Sequence, residues 1–150
     1  MARIEWAQLC ELAFIDKCDR LCMIGVTTRF PVPALPLLVR QLMVAARIVD
    51  VQPVDNFTVA VSVTTPNQRL VPVSGDGFDV SIAGEYILIT LRDVPLSEEG
   101  RYQFEVSISD NEPVTLDVMV GLVTHRPNVE MQRGETSIIT FEQASRPDVN

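Results

Sequence analysis

Residue-by-residue alternation of apolar and polar side chains sets what this chain can fold into. Residues 101–109 read Arg-Tyr-Gln-Phe-Glu-Val-Ser-Ile-Ser, which places Tyr102, Phe104, Val106 and Ile108 on one face of an extended chain and Gln103, Glu105 and Ser107 on the other. A helix would scatter those four apolar residues around its axis, whereas a strand gathers them on the side that faces a core. The same period recurs in 57–65 through Phe57, Val59, Val61 and Val63, in 86–92 through Ile87, Ile89 and Leu91, and in 114–123 through Val114, Leu116, Val118, Val120 and Leu122. A weaker strand is predicted at 78–83. Turn-forming stretches separate these segments: Thr65-Pro66-Asn67, Ser74-Gly75-Asp76-Gly77, Leu96-Ser97-Glu98-Glu99-Gly100 and Asp110-Asn111-Glu112-Pro113.

The N-terminal third has a different texture. Of residues 1–50, 31 are hydrophobic, and the segment carries 5 acidic against 6 basic groups, whereas residues 51–150 carry 15 acidic against 6 basic. Segments 8–15 and 21–28, joined by Asp16-Lys17-Cys18-Asp19-Arg20, read as a hairpin. Both faces of its first strand are apolar, Leu9, Ala13 and Ile15 against Cys10, Leu12 and Phe14, so both need cover. Phe30-Pro-Val-Pro-Ala-Leu-Pro36 reads as a stiff loop, because its three prolines lack ladder donors. Residues 37–50 fit two periods. Leu38, Leu42, Ala45 and Val49 make a helical stripe, while Leu38, Leu42, Val44, Ala46 and Ile48 make a strand face broken by Arg40; the β-branched end favours a strand over about 41–50.

About eight short strands separated by turns specify an all-β chain, an antiparallel β-sandwich of immunoglobulin-like or jelly-roll-like form. The sandwich is assigned to residues 1–124. Residues 125–150 are a C-terminal linker and tail, with a candidate extra strand at 136–142. At 150 residues the chain is long enough to bury a core without disulfides or metal.

The stretch Leu96-Ser-Glu-Glu-Gly-Arg-Tyr-Gln-Phe104 resembles the E–F corner of immunoglobulin-like sandwiches, where a Tyr hydroxyl bonds backbone a few residues upstream. The resemblance implies an architectural role for Gly100 and Tyr102. Two departures mark its limits: Phe104 stands where an antibody domain has its second Cys, and the sole tryptophan, Trp6, lies near the N-terminus. The wider order looks like a family of small bacterial β-sandwich proteins of unknown function, over about residues 5–124. It runs from an apolar hairpin with Cys10 and Gly25 through the Pro-rich loop to Leu88-Ile-Thr-Leu and the Gly100-Arg-Tyr corner. That family implies no catalytic residues.

Chemistry-bearing residues are few. A Ser–His or Cys–His pair would depend on His125, which begins the linker, so no enzyme is expected. Cys10, Cys18 and Cys22 lack the paired Cys-x2-Cys spacing of zinc sites and read as free thiols of a cytoplasmic protein. Cys18, in the hairpin tip beside Lys17 and Arg20, is the candidate reactive thiol. Asp76, Asp79, Asp110 and Glu112 lie in turns without a calcium-loop series, and no metal or cofactor is expected. The net charge of −8 argues against nucleic acid and anionic membrane as partners, since both demand clustered cations.

What remains is apolar surface. Segments 8–15, 41–49 and 114–123 are apolar on both faces, and a sandwich covers one face of each sheet. Leu9, Ala13, Ile15, Met43, Met119 and Val123 are therefore the candidate interface, to be met by the 136–142 segment, a second copy or an unknown protein partner. The expected function is a non-catalytic protein-protein interaction or self-association module. The alternative is a small-molecule or carbohydrate-binding module using loops at one end of the sandwich.

Overall fold

The alternating segments form two facing sheets and a separate hairpin. A computed structural model describes residues 2–52, 58–73, 77–109 and 111–123. The strands are β1 (Arg3–Cys10), β2 (Leu12–Ile15), β3 (Leu21–Ile24), β4 (Arg29–Val32), β5 (Leu37–Val49), β6 (Val59–Thr64), β7 (Leu70–Val73), β8 (Phe78–Ala83), β9 (Tyr86–Leu96), β10 (Gly100–Ile108) and β11 (Val114–Leu122). The first sheet has the order β1-β5-β9-β8 and the second β4-β11-β10-β6-β7, while β2 and β3 pair only with each other. Every pair is antiparallel except β4 with β11, which run parallel. The all-β sandwich expected from the sequence is the observed fold, with this one parallel pair added. His125, the 136–142 segment, Asn56-Phe57, Asp76 and Asp110 lie outside the described residues.

The inner faces are those that alternation selects. Tyr102, Phe104, Val106 and Ile108 are all buried to 1% exposure or less, and they meet Ile87, Ile89 and Leu91 of the opposite sheet within one core cluster. Burying each such side chain contributes about 1.5–3 kcal/mol, so a one-residue slip of register would forfeit the whole row. In β11 only Val118 and Val120 are fully buried; Val114 and Leu116 lie at its margin and Leu122 is exposed at the strand's end.

Four sequence expectations change. The 8–15 strand is two strands, because the chain bends at Glu11: Leu9 belongs to the inter-sheet core while Ala13 belongs to the hairpin. The Pro-rich loop begins with β4, where Pro31 is tolerated because β4 is an edge strand with a free side. Strand β7, four residues with Pro72 within it, is too short to show alternation. Strand β5 starts at Leu37, and Leu38 does not join the Leu42 row. The inward set in β5 is Leu37 and Val39, then Leu42, Val44, Ala46 and Ile48; in β9 it is Ile87, Ile89 and Leu91, then Val94 and Leu96. Both strands change parity at the same level, where the ladder skips the Arg40–Asp93 pair while keeping its register on either side and Asp93 adopts a left-handed φ of 52°. The ribbon coils there, which leaves Leu38 55% exposed.

The turn between β9 and β10 is tied by one side chain. The buried Tyr102 hydroxyl donates to the Glu98 carbonyl at 3.0 Å and accepts from the Ser97 and Glu98 amides at 3.1 and 3.3 Å. Gly100 sits at φ 135°, and a Cβ there would lie 2.8 Å from the Pro66 Cβ, so no other residue fits the start of β10 without displacing the β6–β7 turn. Tyr102→Phe leaves these backbone groups without their partner. It should lower the unfolding free energy by about 1–3 kcal/mol at unchanged denaturant m-value, measured by urea titration.

Candidate interaction surface

The outer face of the first sheet is where the two-sided apolar segments lead. Strand β5 turns Met43 and Ala45 outward, with Cys10 of β1 and Leu88 of β9 on either side, and all four are buried. Their cover comes from the chain itself. The β2–β3 hairpin folds over this half of the sheet and packs Ala13, Ile15, Leu21 and Met23 against it as a second apolar cluster. The Ala13 amide points at the Met43 sulfur at 3.3 Å.

The tip of the hairpin is organised by Asp16. Its Oδ1 accepts from the amides of Cys18 and Arg20 at 2.8 and 2.9 Å, and its Oδ2 accepts from Arg20 Nε at 2.9 Å. These donors, the Arg20 amide foremost, hold the Asp16 carboxyl below its ordinary range. At the base, Gly25 takes φ 70° with the Glu11 side chain laid across it; a Cβ would meet Glu11 Cγ at 2.8 Å. Cys10 is fully buried, which pushes its thiol up. Cys22 is half-buried, and Cys18 is exposed in the turn, the position assigned to it from the sequence.

The side of the hairpin that faces away from the sheet is the unexpected surface. Register pairs Leu12 with Ile24 and Phe14 with Cys22 on that side. Leu12 and Phe14 are each 40% exposed, Ile24 52% and the adjoining Val26 51%. Leu12, Phe14 and Ile24 thus share one face of a short ribbon, with exposed Val26 just beyond its end. Leu9, Ala13 and Met43, drawn from the sequence as interface residues, are instead buried within the chain, and Ile15 is partly buried beneath the hairpin. Met119 and Val123 are exposed, but Met119 lies on the outer face of the second sheet, among polar side chains such as Arg101, which bonds Asp117 at 3.0 Å. The sequence signal that could have found the surface was there: 12–15 and 21–24 are apolar at nearly every position, more than one packed face consumes.

Beyond the hairpin tip the outer sheet face turns polar. Trp6, Arg47 and Tyr86 form one cross-strand row, the two rings 6.2 Å apart between centroids. Glu5 and Glu85 clasp the Arg47 guanidinium at 2.6 and 3.1 Å and, Glu85 first, raise its already high pKa. A cleft of about 610 Å³ opens between the tip and the β8–β9 turn, lined by Ile15, Asp19, Ala83, Gly84, Glu85 and Tyr86. Among the described residues no group of three or more His, Cys, Asp or Glu side chains is placed to hold a metal ion. Of the four carboxylates expected in turns, Asp79 lies instead within β8, paired with Thr90, and is held by Arg92, which lowers its pKa.

Fold and surface together define a β-sandwich with a self-covering N-terminal hairpin. The chain belongs to the family of unknown function DUF6941, whose model matches residues 5–121. No curated protein matches it. Among solved structures it is similar to the crystal structure of the ZIG-8 IG1 homodimer, at 15% identity and a TM-score of 0.32 over 65% of this chain and 79% of that one. So loose a superposition carries no weight beyond itself.

The Asp16 turn gives a pH dependence. A carboxylate whose pKa is lowered by folding stabilises the folded hairpin above its unfolded value, and that contribution is lost as pH falls through the folded value. Amide exchange at Cys18 and Arg20 should therefore be protected near neutrality and lose protection below about pH 4, a step that Asp16→Asn abolishes. Thiol labelling at neutral pH should modify Cys18 first, Cys22 more slowly and Cys10 only on unfolding, as read by peptide mass mapping.

Proposed function

We propose that the chain is a non-catalytic protein-protein interaction module of the bacterial cytoplasm, whose contact surface is the outward face of the β2–β3 hairpin. The observation that carries this reading is the exposure of Leu12, Phe14 and Ile24 on one face of a ribbon whose other face is already packed, with Val26 exposed just beyond its end. Such a cluster costs solubility unless a partner uses it. Its location supports association: residues 1–50 hold 5 acidic against 6 basic groups, so another acidic protein can approach here without the repulsion that the rest of the chain imposes. The three free cysteines accord with a reducing compartment.

Phe14→Asp with Ile24→Asp should abolish co-purification of whatever the native protein captures by this face, while the melting temperature moves by no more than a few degrees. Loss of folding rather than loss of capture, or capture that survives both changes, would discard the hairpin as the surface. A second reading, a small-molecule or carbohydrate-binding module, has the cleft beside Tyr86 in its favour, which Asp19, Glu85 and Tyr86 line together. A disaccharide such as maltose entering that cleft should change the fluorescence of Trp6, and an unchanged spectrum at millimolar sugar counts against it.

A further inference from the structure

The sheets end in four edge strands, and three of them are guarded. Strand β4 contains Pro31 and strand β7 contains Pro72, each of which removes a backbone donor. Strand β1 carries a bulge between Ile4 and Trp6. Strand β8 has neither proline nor bulge in its six residues, Phe-Asp-Val-Ser-Ile-Ala, and pairs regularly with β9 along its full length.

Its side chains are also incompletely covered. Register sets Val80 opposite Ile89 and Ile82 opposite Ile87, both core residues, so Val80 and Ile82 belong to the inner face. Yet Val80 is 39% and Ile82 57% exposed, because β8 ends the sheet and nothing described lies beyond it. An unguarded edge whose inward residues are half in water is the arrangement that accepts another strand.

We propose that β8 pairs antiparallel with β8 of a second copy of this chain, about a two-fold axis through Ser81, joining the two four-stranded sheets into one of eight strands. The sequence of β8 is self-complementary in this register. Centred on Ser81, Val80 of each copy lies opposite Ile82 of the other, so the two under-covered residues cover each other. Asp79 then faces Ala83 and Ser81 faces Ser81. Centred on Asp79, the pair would set two carboxylates against each other, and an axis between residues would put inner faces opposite outer ones. Asp79 is moreover already held by Arg92, so the joint brings in no uncompensated charge. The contact is short beside the roughly 1,200–2,000 Å² of a stable interface, so a reversible dimer with Kd in the micromolar range is expected. In that dimer both hairpins stand on the same outer side of the joined sheet, and a repetitive partner would meet two copies of the apolar ribbon at once.

The test is site-directed cross-linking of the full chain in a Cys18→Ser background. Ser81→Cys should give a disulfide-linked dimer under mild oxidation, since the two positions are directly opposed, whereas Asp79→Cys, displaced from its own symmetry mate by four residues, should not. Without cross-linking, light scattering should show a concentration-dependent dimer that Ile82→Lys weakens at least tenfold, and Phe14→Asp should leave it unaltered, separating this joint from the hairpin surface. A chain that stays monomeric at every concentration overturns the proposal, as does a dimer that resists Ile82→Lys and fails to cross-link through Ser81→Cys. In a double variant, Ser81→Cys with Thr140→Cys, a disulfide formed within one chain would assign the edge to segment 136–142 and equally overturn it.

Discussion

A strand that is apolar on both faces must be covered on both, and the β5–β9 ribbon is where that constraint bites. Its inner face, through Leu42, Val44, Ile87 and Ile89, holds the second sheet; its outer face, through Met43, Ala45 and Leu88, holds the hairpin. Three layers therefore share one pair of strands. The bend at Glu11 follows from this, because the chain must leave β1 in the inner core and return as β2 on the outside within a single residue. Gly25, with Glu11 across it, makes the matching return at the base of β3. The coil at Arg92 and Asp93 follows too, since a ribbon this long stays on the core only by twisting.

Alternation made much of this legible. It identified β10 with its four buried residues, the Ile87, Ile89 and Leu91 part of the inward row of β9 but not Val94 and Leu96, the bounds of β8 and the need for cover over β5. It failed where local period and tertiary placement part company. Four-residue strands such as β4 and β7 are too short to display a period, and each contains a proline that locally argues against a strand and is accommodated only at a sheet edge. Leu38 lies in a run whose parity reverses, which no window over β5 alone could show, since the reversal is shared with β9. The candidate surface was misassigned for a related reason. Two-sided apolarity says that cover is needed but not who supplies it, and residues 12–24 both supply the cover and expose a new face.

The charge division has a structural counterpart. Among the described residues, ion pairs sit on solvent-facing sides, as with Arg101 and Asp117 on the second sheet, or clamp neighbouring strands, as Arg47 does between Glu5 and Glu85. At exposed positions such pairs contribute at most about 1 kcal/mol, so they choose register and spacing more than they hold the fold together. The apolar third does the holding, and what it does not use internally is left on the hairpin.

The parallel pairing of β4 with β11 bears on how the molecule comes into being. Strand β4 ends at Val32 and its one neighbour among the described residues begins at Val114, so β4 cannot take its final place until nearly the whole sandwich has been synthesised. During that interval β4 has no partner, and β5, already paired with β1, still lacks β9 in a segment with 31 hydrophobic residues in 50. A hairpin that closes on itself through the Asp16 turn gives the growing chain a local way to shelter part of that surface before the long-range pairing is available.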